Sequence, residues 1–158
     1  MYSSKIKVLF VCLGNICRSP MAEFIFKNMV DKMGLSDKFI INSAATSYEE
    51  IGNDIHYGAR DKLIQESIPF NKRKATRITI EDYKYYDFII GMEDSNIRNI
   101  KRIVGEDVDN KISRLLDYSD NPRDIADPWY TGNFEIAYND IVEGCKGFIK
   151  YLKDCKLI

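Results

Sequence analysis

Residues 5–22 have the sequence KIKVLFVCLGNICRSPMA, in which an apolar segment, a short loop and a helix-start signal follow one another directly. The apolar and β-branched residues of 5–11 predict a buried parallel strand. Ser19 followed by Pro20 predicts a helix that begins with Ser19 as its N-cap and ends at Gly34. The stretch therefore predicts a strand, a loop and a helix, which is the opening unit of an α/β fold.

The rest of the chain repeats this alternation. Apolar runs predict further strands at residues 38–43, 87–92 and 111–116. Apolar residues at helical spacing predict helices at 55–67 and 134–152, and an acidic helix start lies at 93–95. Parallel strands that alternate with helices need helices on both faces of the sheet. We therefore predict one α/β domain over residues 1–158, with a four-stranded parallel sheet that has helices on both faces.

Composition limits the class of protein. The 158 residues carry 23 basic and 24 acidic side chains, a formal net charge of −1, whereas binding to a phosphate backbone usually needs a basic excess. No apolar run approaches the roughly 18 residues of a membrane span, and the N-terminus lacks a signal-peptide pattern. Four cysteines are too few for a disulfide scaffold and favour a reducing compartment. We predict a cytoplasmic protein that binds no nucleic acid and has no stable membrane association. A monomer is favoured over an oligomer.

The single histidine, His56, limits the kinds of site. It excludes a histidine-rich zinc centre, and Cys12 and Cys17 lack the spacing of a zinc knuckle. We predict no metal and no cofactor. His56 has no nucleophile beside it in the sequence and is interpreted as a surface residue near a helix start.

The loop after the first predicted strand contains the residue types of an anion site. Ligands of a parallel sheet bind beyond the carboxyl ends of the strands, where helix N-termini point. The loop has neither a Gly-Lys-Ser ending nor Gly-x-Gly-x-x-Gly, so it is not a nucleotide-binding loop. It has a thiol, Cys12, at its start and a guanidinium, Arg18, near its end. The predicted phosphate-binding loop comprises Leu13, Gly14, Asn15, Ile16, Cys17, Arg18 and Ser19.

These residue types favour one chemistry. Backbone N–H groups of the loop and the helix dipole can converge on one anion, and Arg18 can hold two of its oxygens. The same positive environment favours the thiolate of Cys12, a nucleophile that would face the phosphorus of a bound phosphate. Ser19 could donate its hydroxyl proton to that sulfur. Cys12 alone would be interpreted as a small buried apolar residue, but its combination with Arg18 and the helix start favours catalysis.

The run from Val11 to Glu23, VCLGNICRSPMAE, resembles the signature of the low-molecular-weight protein tyrosine phosphatases. Residues 43–47, 91–96 and 127–130 resemble the segments after that family's second and third strands and its general-acid loop. The resemblance covers essentially the whole chain. It implies a flavodoxin-like fold of the phosphotyrosine phosphatase I type. It also implies hydrolysis of phosphotyrosine in proteins, and of small aryl phosphates, through a phosphocysteine on Cys12.

The resemblance also implies roles for residues outside the loop. Asp127 would protonate the leaving tyrosyl oxygen and then activate the water that hydrolyses the phosphocysteine. Without the loop, Asp127-Pro128 would be interpreted as a turn, and Pro128 keeps Asp127 out of helical geometry. The predicted catalytic residues are Cys12, Arg18 and Asp127, and the predicted substrate rim comprises Tyr48, Glu49, Trp129 and Tyr130.

Two segments depart from the pattern of the family. Where the family usually has a rim aromatic residue, this chain has Glu49 or Glu50, and an acidic rim would disfavour acidic peptides. Relatives commonly have a loop-supporting histidine within the segment that here reads NKRKA at 71–75. The basic run 71–74 is interpreted as a solvated loop, with substrate steering as the alternative.

Three other functions share parts of this pattern. Arsenate reductases have this loop and fold but use additional thiols near the middle of the chain, and no cysteine lies between Cys17 and Cys145. Arginine-phosphate phosphatases usually have threonine before the second loop cysteine, where this chain has Ile16. A non-catalytic phosphoprotein-binding module would be expected to lose the thiol, the arginine or the acid. A tyrosine phosphatase is therefore favoured.

Cys12 and Cys17 lie in one tight loop, which predicts redox control. A thiolate is the first target of peroxide, and a neighbouring thiol can trap its sulfenic acid before irreversible oxidation. A bridge could close if the two Cα atoms lie within about 7 Å. Cys17 is therefore predicted to be the redox partner of Cys12, and the alternative is that it only packs beneath the loop.

Overall fold

The computed structural model describes residues 4–158. Its four strands form one sheet in the order β2-β1-β3-β4, and each neighbouring pair is parallel. The predicted four-stranded parallel sheet is confirmed, and each strand overlaps the segment predicted for it. The strands are β1 Ile6–Cys12, β2 Phe39–Ala45, β3 Phe88–Gly91 and β4 Ile112–Arg114.

Six α-helices are present within the described residues. They are α1 Arg18–Lys32, α2 Tyr57–Gln65, α3 Ile80–Tyr85, α4 Asp94–Val104, α5 Pro128–Thr131 and α6 Phe134–Asp154. Over residues 4–158, none of these helices combines the length and the apolar character that crossing a bilayer requires.

The alternation of side chains along β1 separates the two faces of the sheet. Val8 and Phe10 belong to a buried cluster with residues of α1 and α6, whereas Leu9 and Val11 belong to one with residues of α3 and α4. Successive side chains of a strand point to opposite faces, so helices lie on both faces as predicted. Cys12 ends β1 on the side of α1 and α6.

The start of α1 differs from the prediction. The helix begins at Arg18 with Cys17 at the N-cap position, and no side chain caps it. Ser19 is not the N-cap, because its hydroxyl contacts Cys12 and Asn15 inside the loop. Pro20 lies in the first turn, where its missing N–H costs no intrahelical hydrogen bond.

Two short helices, α3 and α5, lie where the sequence predicted none. Before α3, the hydroxyl of Thr79 accepts a hydrogen bond from Asp82 N (3.2 Å), and the carboxylate of Asp82 accepts one from Thr79 N (2.9 Å). This reciprocal pair is a capping box. Before α5, Asp127 is the N-cap and Pro128 is the first helical residue, a position that proline favours.

The end of the predicted fourth strand is a 3-10 turn, Leu115–Tyr118, which begins directly after β4. The long helix α6 packs closely on this turn. A Cβ atom at Gly147 would lie 2.2 Å from the carbonyl oxygen of Tyr118, so glycine is needed for this approach.

Candidate active site

The loop of residues 12–18 joins the C-terminal end of β1 to the first turn of α1. Asn15 lies in the middle of this loop with a φ of 58° and is fully buried (0% exposed). Asparagine is one of the few residues other than glycine that adopt this left-handed conformation readily. The turn at Asn15 brings the later part of the loop back over Cys12.

Three hydrogen-bond donors surround the sulfur of Cys12. Ser19 Oγ lies 3.0 Å from Cys12 Sγ, the backbone N of Asn15 lies 3.3 Å from it, and the backbone N of Ser19 lies 3.4 Å from it. Such a set of donors suits an anionic sulfur, because a charged acceptor makes the stronger hydrogen bonds. The predicted contact between the Ser19 hydroxyl and this sulfur is present.

The side-chain amide of Asn15 has four partners behind the loop. Its Nδ2 donates to Ser19 Oγ at 2.8 Å and to Ser43 Oγ at 2.9 Å. Its Oδ1 accepts from Thr76 N at 3.2 Å and from the guanidinium of Arg73. Because the oxygen of Ser19 accepts from Asn15, the hydroxyl proton of Ser19 is left for an acceptor, and the sulfur at 3.0 Å is nearer than Ala44 O at 3.5 Å.

Arg18 lies at the base of the loop and is only 2% exposed. Its Nη1 donates to Ile125 O at 2.7 Å and to the carboxylate of Glu93, and its Nη2 donates to Asp127 Oδ2 at 3.1 Å. Burial acts to lower the pKa of Arg18, but the charges of Cys12, Asp127 and Glu93 outweigh it and raise that pKa overall. The site therefore contains a permanent cation.

Asp127 faces the same guanidinium from the segment before α5. Its backbone is extended, with φ −78° and ψ 113°, as expected before Pro128. Its Oδ1 accepts from Trp129 N at 3.0 Å, and its Oδ2 accepts from Arg18. The fold thus brings Asp127 together with Cys12 and Arg18, as the sequence predicted for these three residues.

The three residues line a pocket of about 80 Å³. This volume suits a phosphoryl group, whereas sites for whole drug-sized ligands span roughly 300–1,000 Å³. The rest of the wall comprises four loop residues, two carboxylates and two aromatic residues, namely Leu13, Gly14, Ile16, Cys17, Glu49, Glu50, Trp129 and Tyr130.

Three of the four predicted rim residues, Glu49, Trp129 and Tyr130, line this pocket. Tyr48 does not. It is 70% exposed, and its ring centroid lies 4.1 Å from the guanidinium carbon of Arg77, in a cation–π contact that holds it outside the pocket.

Cys17 lines the same pocket and is buried. Burial, followed by the charges of Cys12 and Asp127, raises the pKa of Cys17 to about 12. All four cysteines of the chain are free thiols in this structure. Cys17 is therefore a protonated thiol at neutral pH, which is a poor nucleophile.

The basic run at 71–74 is not wholly solvated, contrary to the prediction. Asn71, Lys72 and Lys74 are exposed, but Arg73 is half-buried and its guanidinium contacts Asn15. The reason lies in Asn15, whose Oδ1 is an acceptor that takes its hydrogen bonds from Arg73 and Thr76 rather than from the loop itself.

The interpretation of His56 as a surface residue is also wrong. His56 is half-buried and caps α2, because its Nδ1 accepts from Gly58 N at 3.0 Å. Its ring stacks on Phe134 with centroids 5.5 Å apart and meets the edge of Trp129 at 5.4 Å. His56 therefore supports one aromatic wall of the pocket.

Glu93 is a site residue that sequence reasoning missed. It follows β3, and Cys12 ends β1, so the two residues lie at the same edge of neighbouring parallel strands. The position of an acidic residue just after a strand that neighbours β1 was the available signal.

Two further observations concern other kinds of site. Among residues 4–158, no group of three or more His, Cys, Asp or Glu side chains is arranged to hold a metal ion. A larger groove of about 500 Å³ is lined by residues of α1, residues of β2 and residues 69–71, and none of the three predicted catalytic residues lines it.

Comparison with known sequences gives a consistent family. The family model described as low molecular weight phosphotyrosine protein phosphatase matches residues 7–156. The chain is 43% identical over 143 residues to the low molecular weight protein-tyrosine-phosphatase YfkJ of Bacillus subtilis, covering 89% of this chain and 92% of that protein. It is 38% identical over 148 residues to the low molecular weight phosphotyrosine protein phosphatase of Homo sapiens, covering 90% and 93%.

Comparison with solved structures agrees. The crystal structure of YfkJ from Bacillus subtilis is similar with a TM-score of 0.94 and 40% identity, covering 98% of each chain. The crystal structure of a Drosophila arginine phosphatase is similar with a TM-score of 0.86 and 31% identity, covering 94% of this chain and 98% of that one.

Proposed function

Because the chain belongs to the low molecular weight phosphotyrosine protein phosphatase family and is a cysteine-dependent phosphatase, we propose that it hydrolyses phosphotyrosine and small aryl phosphates through a phosphocysteine on Cys12. The observation that carries the proposal is the convergence of three donors on Cys12 Sγ in a pocket of phosphoryl size. The family match over residues 7–156 also supports one phosphatase domain over residues 1–158.

In the first step, the thiolate of Cys12 attacks phosphorus, an S–P bond forms and the bond between phosphorus and the tyrosyl oxygen breaks. The loop N–H groups and the guanidinium of Arg18 stabilise the charge on the phosphoryl oxygens. Arg18 Nη2 donates to Asp127 Oδ2 at 3.1 Å. A phosphoryl oxygen can take this N–H in place of the carboxylate, and Asp127 gives its proton to the leaving oxygen.

In the second step, Asp127 takes a proton from a water molecule whose oxygen attacks phosphorus. The S–P bond breaks, inorganic phosphate forms and the sulfur leaves as a thiolate. The hydroxyl of Ser19, 3.0 Å from the sulfur, would stabilise that anion in both steps.

The walls of the pocket favour an aryl phosphate over phosphoarginine. Ile16 lines the pocket as an apolar residue, and Trp129 and Tyr130 offer aromatic faces to a phenyl ring. A matched pair of peptides that carry phosphotyrosine or phosphoarginine tests this choice. Faster turnover of the phosphoarginine peptide would reassign the substrate class.

The charge of the rim sets a preference among phosphoproteins. Glu49 and Glu50 line the pocket, and among the residues that the structure describes the only basic group in its wall is the buried Arg18. We expect peptides with basic residues beside the phosphotyrosine to have a lower KM than acidic peptides, with a difference that shrinks as salt is added.

The test of the nucleophile is turnover of p-nitrophenyl phosphate by Cys12→Ser. We expect a loss on the order of 10⁴-fold or more, because this change removes the attacking atom. Cys155→Ser, an exposed cysteine outside the pocket, is the matched control and should keep wild-type activity. Substantial turnover by Cys12→Ser would contradict the mechanism, and phosphopeptide binding by an inactive wild type would instead indicate a binding module.

The test of the acid is the dependence of Asp127→Asn on the leaving group. Phenyl phosphate has a poor leaving group and needs the proton, whereas p-nitrophenolate leaves more readily without it. Asp127→Asn should therefore lose more activity on phenyl phosphate than on p-nitrophenyl phosphate. Equal losses on both substrates would assign the proton to another group.

The four free thiols of the chain support a reducing compartment, and we propose a cytoplasmic location for the protein.

A further inference from the structure

Arg73 connects three separate segments of the chain behind the catalytic loop. Its guanidinium contacts Asn15 Oδ1, and its Nη1 lies 3.5 Å from Asn53 O. Its backbone N donates to Asp54 Oδ1 at 3.3 Å. The side chain is therefore held between the loop that contains the nucleophile and the segment before α2.

The contact with Asn15 fixes which way the amide of Asn15 points. Arg73 carries donors and no acceptor, and Thr76 offers an N–H to the same oxygen. If the amide were reversed, its NH2 group would face these two donors. The observed orientation instead directs Nδ2 at Ser19 Oγ, which leaves the Ser19 proton for one of two acceptors, and Cys12 Sγ at 3.0 Å is nearer than Ala44 O at 3.5 Å.

We propose that Arg73 is a positioning residue for the phosphatase reaction. This proposal rests on the function proposed above for Cys12. Its donation to Asn15 Oδ1 fixes the amide of Asn15 and thereby the direction of the hydrogen bond from Ser19 to the sulfur. Arg73 does not touch the reacting atoms. It acts on the sulfur through two intervening side chains.

Three charged groups face Arg73, and their attraction does not reverse the lowering of its pKa by burial. They are Glu23 on α1, Asp54 before α2 and the sulfur of Cys12. Burial lowers the pKa of Arg73, and these three groups oppose that effect. An arginine does not lose its proton in proteins, so the hold on Asn15 does not depend on pH.

The first experiment compares Arg73→Met with Lys74→Met. Both remove one positive charge from the same segment, but Lys74 is exposed and serves as the matched control. We expect Arg73→Met to lower kcat on p-nitrophenyl phosphate by about tenfold with little change in KM, because one hydrogen bond to a positioned group is lost. Lys74→Met should resemble the wild type in both constants.

The second experiment measures the thiolate without any substrate. Iodoacetamide alkylation of Cys12 is followed by mass spectrometry between pH 5 and 8, since the rate follows the thiolate fraction. We expect slower alkylation of Arg73→Met at the acidic end of this range and no change for Lys74→Met. Alkylation still decides the role of Arg73 if phosphotyrosine proves not to be the substrate, because no turnover is involved.

Arg73→Lys and Arg73→Gln keep the test decisive if Arg73→Met does not fold. Lysine keeps a charged donor, so Arg73→Lys should stay within about threefold of the wild type, whereas the neutral amide of Arg73→Gln can also reverse and should lose more. The proposal is overturned if Arg73→Met matches Lys74→Met in kcat and alkylation, or if Arg73→Lys is as impaired as Arg73→Gln.

Discussion

Two hydrogen-bond networks lie at opposite edges of the same sheet. At the C-terminal edge, the amide of Asn15 joins Arg73 and Thr76 to Ser19 and Ser43. At the N-terminal edge, the carboxylate of Asp107 accepts from Tyr83 Oη at 2.7 Å, Lys111 N at 2.8 Å and Ile112 N at 3.0 Å. Each centre has several hydrogen-bond partners, and only one of the two networks is part of a site.

The difference between the two networks is where they end. The partners of Asp107 are Tyr83 of α3 and the backbone N–H groups of Lys111 and Ile112 at the start of β4, so that network holds β4 and α3 together. The network of Asn15 passes through Ser19 to the sulfur of Cys12, which faces a pocket. A buried polar network indicates function when one of its ends faces a cavity, and stability when every end lies on the backbone or in the core.

The largest expected effect is on activity, from Arg18→Lys in the pocket that Cys12 faces. The charge stays but the bidentate fork is lost, so we expect a loss of about 2–4 kcal/mol in transition-state stabilisation. The measurement is kcat/KM on p-nitrophenyl phosphate. Arg123→Lys is the matched control, because Arg123 forms its ion pairs with Asp140 and Glu143, neither of which lines the pocket. Activity within a few-fold of the wild type would show that Arg18 does not hold the phosphate.

The next effect is on stability, from Asp107→Asn in the other network. Burial acts to raise the pKa of Asp107, but the hydrogen bonds from Tyr83, Lys111 and Ile112 outweigh it and lower that pKa overall. We expect the free energy of unfolding at pH 7 to fall by about 1–3 kcal/mol while kcat/KM stays at the wild-type value. Urea unfolding followed by circular dichroism measures the first quantity.

The same variant has a defined pH dependence. A carboxyl group whose pKa is lowered by folding stabilises the protein above the pKa of the unfolded state, about 3.9, and this stabilisation is lost as the pH falls through the folded-state pKa. The difference between the wild type and Asp107→Asn should therefore narrow at pH 3. Asp109→Asn, an exposed carboxyl two residues away, is the control. A loss of activity in Asp107→Asn would break the contrast between the networks.

The smallest expected effect concerns the second thiol of the pocket. Peroxide should convert the Cys12 thiolate to a sulfenic acid, which Cys17 can attack with loss of water to give a disulfide. We expect dithiothreitol to restore several-fold more activity to oxidised wild type than to oxidised Cys17→Ser, and bound phosphate to protect both. Cys155→Ser should recover like the wild type.

This recovery should also depend on pH. The pKa of Cys17 is raised to about 12, so its thiolate is scarce at neutral pH and trapping is slow. The recoverable fraction of the wild type should therefore increase from pH 7 to pH 9. Equal recovery of wild type and Cys17→Ser at both pH values would show that Cys17 only packs beneath the loop.

The sheet and the loop could be predicted from the sequence because their signals are local. The strand at 5–11 is a continuous apolar run, and Cys12, Arg18 and Ser19 stand at fixed spacing after it. The helix α3 also has a local signal, the capping box of Thr79 and Asp82, whose residues stand three apart in the sequence. Local signals cover the sheet, most helices and the loop that contains the nucleophile.

The surroundings of the loop could not be predicted in the same way, because they depend on which segments the fold brings together. Arg73 stands in a basic run and differs from the exposed Lys72 and Lys74 through its contacts with Asn15, Asn53 and Asp54, which the sequence does not show. The sequence does not show that His56 contacts Phe134 and Trp129, because these contacts form only when the chain folds. A resemblance to a family gives the reacting groups, while the supporting residues must be read from the folded chain.

The aromatic wall has a spectroscopic consequence. Trp129 is the single tryptophan of the chain, it is 54% exposed, and it lines the pocket beside His56. The intrinsic fluorescence of the tryptophan therefore originates at the mouth of the site, and a bound aryl group changes the surroundings of the fluorophore without any added label. The same emission reports the opening of the short α5 segment, which can precede the loss of the sheet. A denaturation curve recorded by fluorescence and one recorded by circular dichroism thus observe different parts of this molecule, and their coincidence is a direct test of two-state unfolding.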